Sequence, residues 1–303
     1  MVLKNINWKL WLERAIDFVW RMVLVGLGIG ICWLVMLVFF FSSYRIPSDS
    51  MSPVLMPGDR IWVDKTCWGA RLFNLNAAAG HKPFKMFRMW GWNKIKVGDV
   101  AVFNYPYPQT RDSIGFDLMT YYVKRCMGTP GDTVEIVEGY YRINGDTSLK
   151  LPETLIQAHD SLHYVFTQGE KKIEGVSIKA FPKKKEIGWT IVNFGPLYVP
   201  QKGDVVELNE KHFLLYRKLL EWEQGKKLVW QDGRACMDGK FLYFYQFQHD
   251  YYFMCGDNVF NSVDARYWGL LPDDFIAGKV VSIWKSIDPY TEQMRWNRIG
   301  FIE

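Results

Sequence analysis

Residues 121–136 read Tyr-Tyr-Val-Lys-Arg-Cys-Met-Gly-Thr-Pro-Gly-Asp-Thr-Val-Glu-Ile. The apolar start is typical of a β-strand, the Pro-Gly pair is typical of a turn, and Val134 and Ile136 open a second β-branched run. Three more Gly-Asp turns precede apolar runs, at Gly58-Asp59, Gly98-Asp99 and Gly203-Asp204. Their irregular spacing indicates recurrent turns rather than a repeat array. The sequence therefore predicts a mainly β fold.

One helix interrupts the predicted strands. Residues 210–224 have helical character, with Asn209 as a plausible N-cap and Gly225 as the stop signal. This helix lies in a lysine-rich segment, residues 146–248, which has no dense motif. We predict that the segment is an inserted lobe or a set of elaborated loops, flanked by the two parts of a core at residues 45–145 and 249–303.

An apolar, charge-free run extends from Met22 to Tyr44. A helix of about 20 residues spans the hydrocarbon core of a bilayer, so residues 22–44 are predicted to be one transmembrane anchor. A cleaved signal sequence is the alternative, but it has a shorter apolar region that ends in small residues. Positive charges precede the run and favour a cytoplasmic segment 1–21, with the rest of the chain extracytoplasmic. They are Lys4, Lys9, Arg14 and Arg21.

The composition fits a folded body beyond the anchor. The chain has 303 residues and a net charge of +5, without an arginine-rich helix or a base-reading motif, so a nucleic-acid partner is not predicted. The cysteines beyond the span form no Cys-x-x-Cys pair, and buried free thiols are favoured over disulfides. They are Cys67, Cys126, Cys236 and Cys255.

A serine turn follows the apolar run directly: Ile46-Pro47-Ser48-Asp49-Ser50-Met51-Ser52-Pro53. A serine hydroxyl is a poor nucleophile until a base removes its proton. Among the histidines, His249 is the one near a motif. His159 and His163 stand four residues apart, but no glutamate lies between them as in a His-Glu-x-x-His metal site, so no metal is predicted.

Lys124 is the alternative base. Strand alternation places Lys124 on one face with Tyr122 and Cys126, and Arg125 on the other face. Burial disfavours the ammonium form, and lowering the pKa from ~10.4 to ~8 requires about 3 kcal/mol. Taken alone, the residue is more typical of a lysine at a strand edge that reaches water.

Four ordered motifs together resemble those of type I signal peptidases, the membrane-anchored Ser/Lys proteases that remove signal peptides. They are the serine turn, the stretch from Gly98 to Phe103, the stretch from Tyr121 to Asp132, and Gly256-Asp257-Asn258 with Asn261 to Gly269. The resemblance covers about residues 46–103, 121–145 and 251–286. It implies an antiparallel β catalytic core with an inserted lobe, preceded by one membrane helix.

The resemblance also implies roles for particular residues. Ser50 would be the nucleophile and neutral Lys124 the general base. The Ser50 backbone N–H and the Ser48 hydroxyl would form the oxyanion hole. Ser262 would orient the Lys124 amine, and Asp264 and Arg266 would brace the site as an ion pair. No cofactor is implied.

The implied substrates are exported preproteins with small residues at the −1 and −3 positions. Such a substrate would bind as an added strand, and membrane lipid is the second expected partner. Basic and aromatic residues alternate between His81 and Lys96, which predicts either an interfacial surface or a packed loop. The aromatic members are Phe84, Phe87, Trp90 and Trp92, and the basic members are Lys82, Lys85, Arg88, Lys94 and Lys96.

Several positions depart from the family pattern. Asp49 replaces a small neutral residue, and a carboxylate there is expected to raise the Lys124 pKa. Val54, Cys255, Val259 and Phe260 are the other departures. A catalytically silent relative that binds signal peptides is therefore an alternative. A self-cleaving Ser/Lys repressor is disfavoured, because such a protein predicts a DNA-binding domain where this chain has its apolar run.

Overall fold

The computed structural model describes residues 8–80, 85–110, 112–149, 151–167 and 176–302. Lys4, His81, Lys82 and Phe84, which the sequence analysis singled out, lie outside the described residues. The α-helices are α1 (Trp8–Val35), α2 (Leu75–Ala79), α3 (Glu153–Thr167), α4 (Glu210–Gln224) and α5 (Ala265–Trp268). Short helical turns of other types cover Met36–Phe40, Asp273–Phe275 and Trp296–Arg298.

Strands make up most of the remaining regular structure. In chain order they are β1 (Phe41–Arg45), β2 (Asp59–Asp64), β3 (Arg71–Leu72), β4 (Phe87–Arg88), β5 (Val100–Asn104), β6 (Tyr121–Gly128), β7 (Thr133–Val137), β8 (Tyr140–Ile143), β9 (Phe194–Tyr198), β10 (Val205–Glu207), β11 (Leu228–Gln231), β12 (Arg234–Met237), β13 (Lys240–Leu242), β14 (Phe244–Gln246), β15 (Tyr251–Cys255), β16 (Leu271–Pro272), β17 (Ile276–Ser286) and β18 (Gly300–Phe301). Each of the four Gly-Asp turns leads into a strand, β2, β5, β7 or β10, so the predicted mainly β fold is confirmed.

The apolar run forms the predicted helix but ends earlier than expected. The segment Lys9–Phe40 is long and apolar enough to cross a membrane, with mean hydropathy 2.7 over its most apolar window. The predicted anchor continued to Tyr44, whereas Phe41–Arg45 form strand β1, paired with β2. The ammonium of Lys65 donates hydrogen bonds to the carbonyl oxygens of Leu37, at 2.8 Å, and Val38, at 3.1 Å. These contacts satisfy carbonyls that the helix leaves open at its end.

The largest sheet is antiparallel, in the order β1-β2-β17-β5-β6-β15-β16, with β18 beside β17. Three strands separate β1 from β6 in this order, yet the Tyr44 and Tyr121 rings on these two strands lie 5.0 Å apart. The sheet therefore curls until its first strand approaches the start of β6. A small core of apolar side chains fills the curl, including Ile46, Met51, Leu55, Ile61 and Val102.

The middle segment combines predicted and unpredicted elements. Helix α4 begins and ends as predicted, with the Asn209 side chain accepting a hydrogen bond from the His212 N–H and Gly225 in a left-handed conformation. Helix α3 was not anticipated. Strand β9, beyond residue 146, pairs with β7, which precedes that residue. One sheet thus includes strands from both sides of the proposed boundary, and the division at residues 146 and 248 stays a prediction.

The four cysteines beyond the apolar helix are buried and free, as expected. His159 packs against the Tyr141 ring at 5.1 Å, and Nδ1 of His163 lies 3.0 Å from the carbonyl oxygen of Glu138. Both histidines of α3 therefore make packing or hydrogen-bonding contacts within the fold.

A pair of glycine substitutions tests how closely the strands of the largest sheet pack. A Cβ at Gly278 in β17 would lie 2.4 Å from the carbonyl oxygen of Asp64, whereas a Cβ at Gly300 in β18 would meet nothing within 4 Å. We expect Gly278→Ala to reduce the free energy of unfolding by roughly 2 kcal/mol, because backbone must shift. Gly300→Ala should change it by less than about 0.5 kcal/mol. Thermal unfolding of the detergent-solubilised chain measures both, and equal stability of the two variants would contradict the packing.

Candidate active site

The serine turn is fixed from below by apolar side chains. Ile46, Met51 and Leu55 are buried, while Ser48 is exposed and Ser50 is half-buried. The backbone N–H of Ile46 donates to the carbonyl oxygen of Asp59 at the start of β2. The turn therefore presents its hydroxyl groups on a rigid base, next to the end of β1.

Strand β6 brings Lys124 to this turn. Its Nζ lies 2.5 Å from Oγ of Ser50, although the two residues are 74 positions apart. The lysine is only 3% exposed. As alternation predicted, Arg125 points the other way, where its guanidinium forms two hydrogen bonds with Asp257. The predicted nucleophile and base are thus in direct contact.

The surroundings of Lys124 favour its neutral form. Burial lowers the pKa of Lys124 from its usual value to about 8, and the charge of Arg266 acts in the same direction, while the charge of Asp264 opposes them. Asp49 is not among the largest influences on the Lys124 pKa, and its predicted effect stays a prediction. Its carboxylate accepts hydrogen bonds from Nδ2 of Asn261, at 3.0 and 3.1 Å, and Asp264 is the acid with the largest influence on the Lys124 pKa.

Two buried ion pairs flank the dyad. Asp264 and Arg266 form two side-chain hydrogen bonds, of 2.9 and 2.8 Å, as the sequence predicted. Asp264 also accepts a hydrogen bond from the Gly256 N–H at 3.0 Å. The Arg125–Asp257 pair was not predicted, although strand alternation had placed Arg125 away from Lys124. These pairs fix the positions of β6 and of the loop after β15, because breaking a buried pair leaves an uncompensated charge.

Ser262 lies beside the site but does not make the predicted hydrogen bond to Lys124. Its Oγ is buried and has no hydrogen-bond partner among the described residues. A Cβ at Gly256 would lie 2.2 Å from Oγ of Ser262 and 2.5 Å from the carbonyl oxygen of Ser50. Ser262 and the nucleophile therefore pack against the same glycine, while the lysine amine turns to Ser50.

The loop after β15 also holds the serine turn from outside, a role that the sequence analysis missed. The Asn258 N–H donates to the carbonyl oxygen of Ser50 at 3.2 Å, and its side chain donates to that of Asp49 at 3.3 Å. Asn261 binds the Asp49 carboxylate. The only available sequence signal was that both asparagines stand in the last motif. Of the departures in that motif, Val259 is buried in a second, larger apolar core that also includes Phe103 and Phe253, and Phe260 packs against this core.

A groove of about 420 Å³ runs over the dyad, between the end of β1 and the start of β6. β6 pairs with β5 from Tyr121 to Arg125, whereas its pairing with β15 begins only at Arg125. Among the described residues, the second edge of the first half of β6 is therefore without a strand partner. An extended peptide can add there through main-chain hydrogen bonds.

The family model described as "Signal peptidase, peptidase S26" matches residues 18–285. The chain belongs to this family. Signal peptidase I of Buchnera aphidicola subsp. Baizongia pistaciae is 28% identical over 282 residues, which cover 87% of this chain and 77% of the relative. Signal peptidase I of Pseudomonas fluorescens is 28% identical over 282 residues, covering 89% and 74%.

Membership of the signal peptidase family assigns the chemistry class. The protein is a serine protease that acts on the signal peptides of preproteins, and the predicted protease function is confirmed.

The remaining histidine candidate, His249, lies near Asp273, with its Nδ1 3.1 Å from that carboxylate, and packs on Trp222. It has a structural environment of its own, separate from the serine turn.

Replacing Lys124 by methionine tests the cost of the buried amine. The pKa is about 8 in the folded protein and ~10.4 in an unfolded chain, so below pH 8 both states hold the proton and the full penalty opposes folding. As pH rises from 8 to about 10 the folded lysine becomes neutral and the penalty disappears. We expect Lys124→Met to be more stable than the native protein at pH 7, by about 3 kcal/mol, with a smaller difference at pH 10.

Thermal unfolding in detergent between pH 7 and pH 10 measures this difference. Lys202→Met is the control, because Lys202 is an exposed lysine in a turn. A Lys124→Met variant with the same stability as the native protein at pH 7 would contradict the assignment of a destabilised ammonium.

Proposed function

We propose that this signal peptidase cleaves preproteins through a Ser50–Lys124 dyad. The observation that carries the proposal is the 2.5 Å contact between Ser50 Oγ and a lysine amine that is almost completely buried. A neutral amine accepts the proton of the serine hydroxyl as Oγ attacks the scissile carbonyl carbon. The proton then passes to the leaving amine, which departs as the new N-terminus. Lys124 next activates the water that hydrolyses the acyl-enzyme.

The proposed oxyanion hole consists of the Ser50 backbone N–H and the Ser48 hydroxyl. Among the described residues the Ser50 N–H has no hydrogen-bond acceptor, so it is available to a developing negative charge. Oγ of Ser48 lies 3.5 Å from Oγ of Ser50, which is close enough for both to face one reacting carbonyl. Each positioned donor of this kind contributes roughly 3 kcal/mol to lowering the barrier.

Ser262, Asp264 and Arg266 are proposed to support the dyad rather than react. Asp264 and Arg266 hold the loop that carries Gly256, and their opposite charges nearly balance beside the amine. Ser262 has a buried hydroxyl without a partner in the described structure, so it is available to accept an N–H from neutral Lys124. In this arrangement the amine directs its lone pair at Ser50.

The groove lining suggests which side chains the substrate carries, and the apolar helix suggests where the enzyme meets it. Ile46, Met51 and Val123 line the groove near the dyad and leave apolar surface for small side chains, which suits small residues at −1 and −3. The helix that ends at Phe40 is proposed to anchor the enzyme in the cytoplasmic membrane. Lys9, Arg14 and Arg21 in the first part of α1 favour a cytoplasmic N-terminus, with the catalytic domain outside.

The direct test is N-terminal sequencing of a model preprotein after incubation with the native enzyme. We expect one cut after a small residue at −1, and a loss of activity of about 10⁴-fold or more in Ser50→Ala and Lys124→Met. The matched control is Ser52→Ala, which removes another hydroxyl of the same turn and should keep most of the activity. The rate should rise with pH with a midpoint near the Lys124 pKa of about 8. An active Ser50→Ala variant would exclude this nucleophile.

The aromatic segment before β5 is proposed to contact lipid. Trp90 and Trp92 are 95% and 84% exposed, and their rings stack 6.5 Å apart. Exposed tryptophans are typical of membrane interfaces. In proteoliposomes, brominated lipid quenches the fluorescence of tryptophans that contact the bilayer. We expect less quenching in Trp90→Ser/Trp92→Ser than in the native enzyme, with unbrominated vesicles as the unquenched control. Equal quenching in the native enzyme and the variant would contradict the proposed lipid contact.

A further inference from the structure

A second pocket, of about 330 Å³, adjoins the catalytic groove. Asn261 and Val263 line both spaces, so only their loop separates them. Ser262 lines the second pocket, and it packs against the same glycine as the Ser50 carbonyl oxygen. An extended peptide advances about 3.3 Å per residue. The pocket is therefore within reach of the first few substrate residues that follow the bond cleaved at Ser50.

The walls of this pocket are well fixed. The Phe181 N–H donates to the carbonyl oxygen of Arg266 at 2.7 Å, which ties the loop before residue 183 to helix α5. The Tyr267 hydroxyl donates to the carbonyl oxygen of Ser177 at 3.1 Å. Phe181 and Trp268 are both buried. Buried aromatic residues and backbone hydrogen bonds therefore fix part of the pocket wall.

The charge of the pocket has one sign. Among the described residues, the lining contains two lysines and no carboxylate: Tyr105, Val176, Ser177, Phe181, Pro182, Lys183, Lys218, Phe260, Asn261, Ser262, Val263, Tyr267 and Trp268. Nζ of Lys183 lies 5.7 Å from the centre of the Tyr267 ring, and Nζ of Lys218 lies 4.9 Å from that of Tyr107. The two lysines therefore enter the pocket region from different walls.

The two ammonium groups also act on each other. Burial lowers the pKa of Lys218; among the nearby charges Asp112 has the largest effect and raises this pKa, Arg217 and Lys183 lower it, and Glu221 raises it. The indole N–H of Trp268 is buried and lacks an acceptor in the described part of the chain. The pocket thus offers donors and positive charge.

The orientation of the substrate follows from the anchor. Helix α1 and the turn Met36–Phe40 lead into β1, and β1 leads to the serine turn. If this helix anchors the enzyme, a preprotein whose signal peptide lies in the same membrane would enter the groove along β1. Its residues after the scissile bond would then leave past Ser50, towards Asn261 and Val263, which line both spaces.

We propose that this second pocket binds an acidic side chain of the preprotein, within the first four residues after the scissile bond, and that Lys183 and Lys218 determine this specificity. The inference rests on the proposed dyad function and adds a preference on the mature side of the cut. A carboxylate is favoured over an anionic lipid headgroup because the pocket adjoins the groove over the dyad.

The test compares preproteins that differ by one residue. Glutamate and glutamine are placed in turn at each of the first four positions after the cut, and kcat/KM is measured with the full-length enzyme in neutral detergent. We expect glutamate to be preferred about five- to tenfold at one position, and the preference to fall at about 1 M salt, where the Debye length is ~3 Å. Lys183→Gln/Lys218→Gln should bring the ratio close to one.

Lys184→Gln/Lys185→Gln is the matched control, since it removes two exposed lysines of the same loop and should keep the preference. Lys183→Glu should shift the preference towards a substrate with lysine at that position. Equal cleavage of the glutamate and glutamine substrates by the native enzyme overturns the inference and leaves the dyad intact. Cleavage of neither substrate overturns both. A third outcome is that Lys183→Gln/Lys218→Gln keeps the native ratio of kcat/KM for the glutamate and glutamine substrates but binds anionic vesicles more weakly. The lysines would then bind lipid rather than substrate, and the inference would be overturned.

Discussion

The buried amine of Lys124 is the constraint on which the rest of the site depends. A lysine in this environment is stable only because the surrounding sheet and loops are well packed, and its lowered pKa, about 8, corresponds to roughly 3 kcal/mol that folding must overcome. In the proposed mechanism, the same desolvation supplies the neutral base that the Ser50 nucleophile needs. If Lys124 is this base, catalytic competence and stability oppose each other at this single residue.

The charged side chains around the Lys124 amine are paired with one another, so that none of them strongly stabilises its ammonium form. Arg125 is directed to the opposite face of β6, where it pairs with Asp257. Asp264, which alone would stabilise the ammonium, is paired with Arg266. The two pairs also hold the loop after β15 against the serine turn, where Gly256 leaves room for Ser50 and Ser262. Electrostatic balance and loop position thus have the same structural cause.

The position of the site relative to the apolar helix is set by hydrogen bonds as well as by chain connectivity. Lys65 binds the last carbonyls of the helical segment, and β1 begins at the next residue as the first strand of the curled sheet. A short, paired strand therefore connects the helix to the serine turn, and it restricts how far Ser50 can move from the helix end. The exposed Trp90 and Trp92 provide a second proposed contact with lipid.

The sequence by itself determined the features that depend on neighbouring residues. Gly-Asp turns predicted the strands, Asn209 and Gly225 predicted the limits of α4, and strand alternation separated Lys124 from Arg125. The tertiary structure decided what depends on residues far apart in the chain. Asn261 binds Asp49 across 212 positions, the apolar helical segment ends at Phe40 because β2 pairs with the next residues, and Ser262 faces Gly256 instead of Lys124. Local patterns determine turns and faces, whereas the partner of a buried polar group is determined by which distant segments the folded sheet brings together.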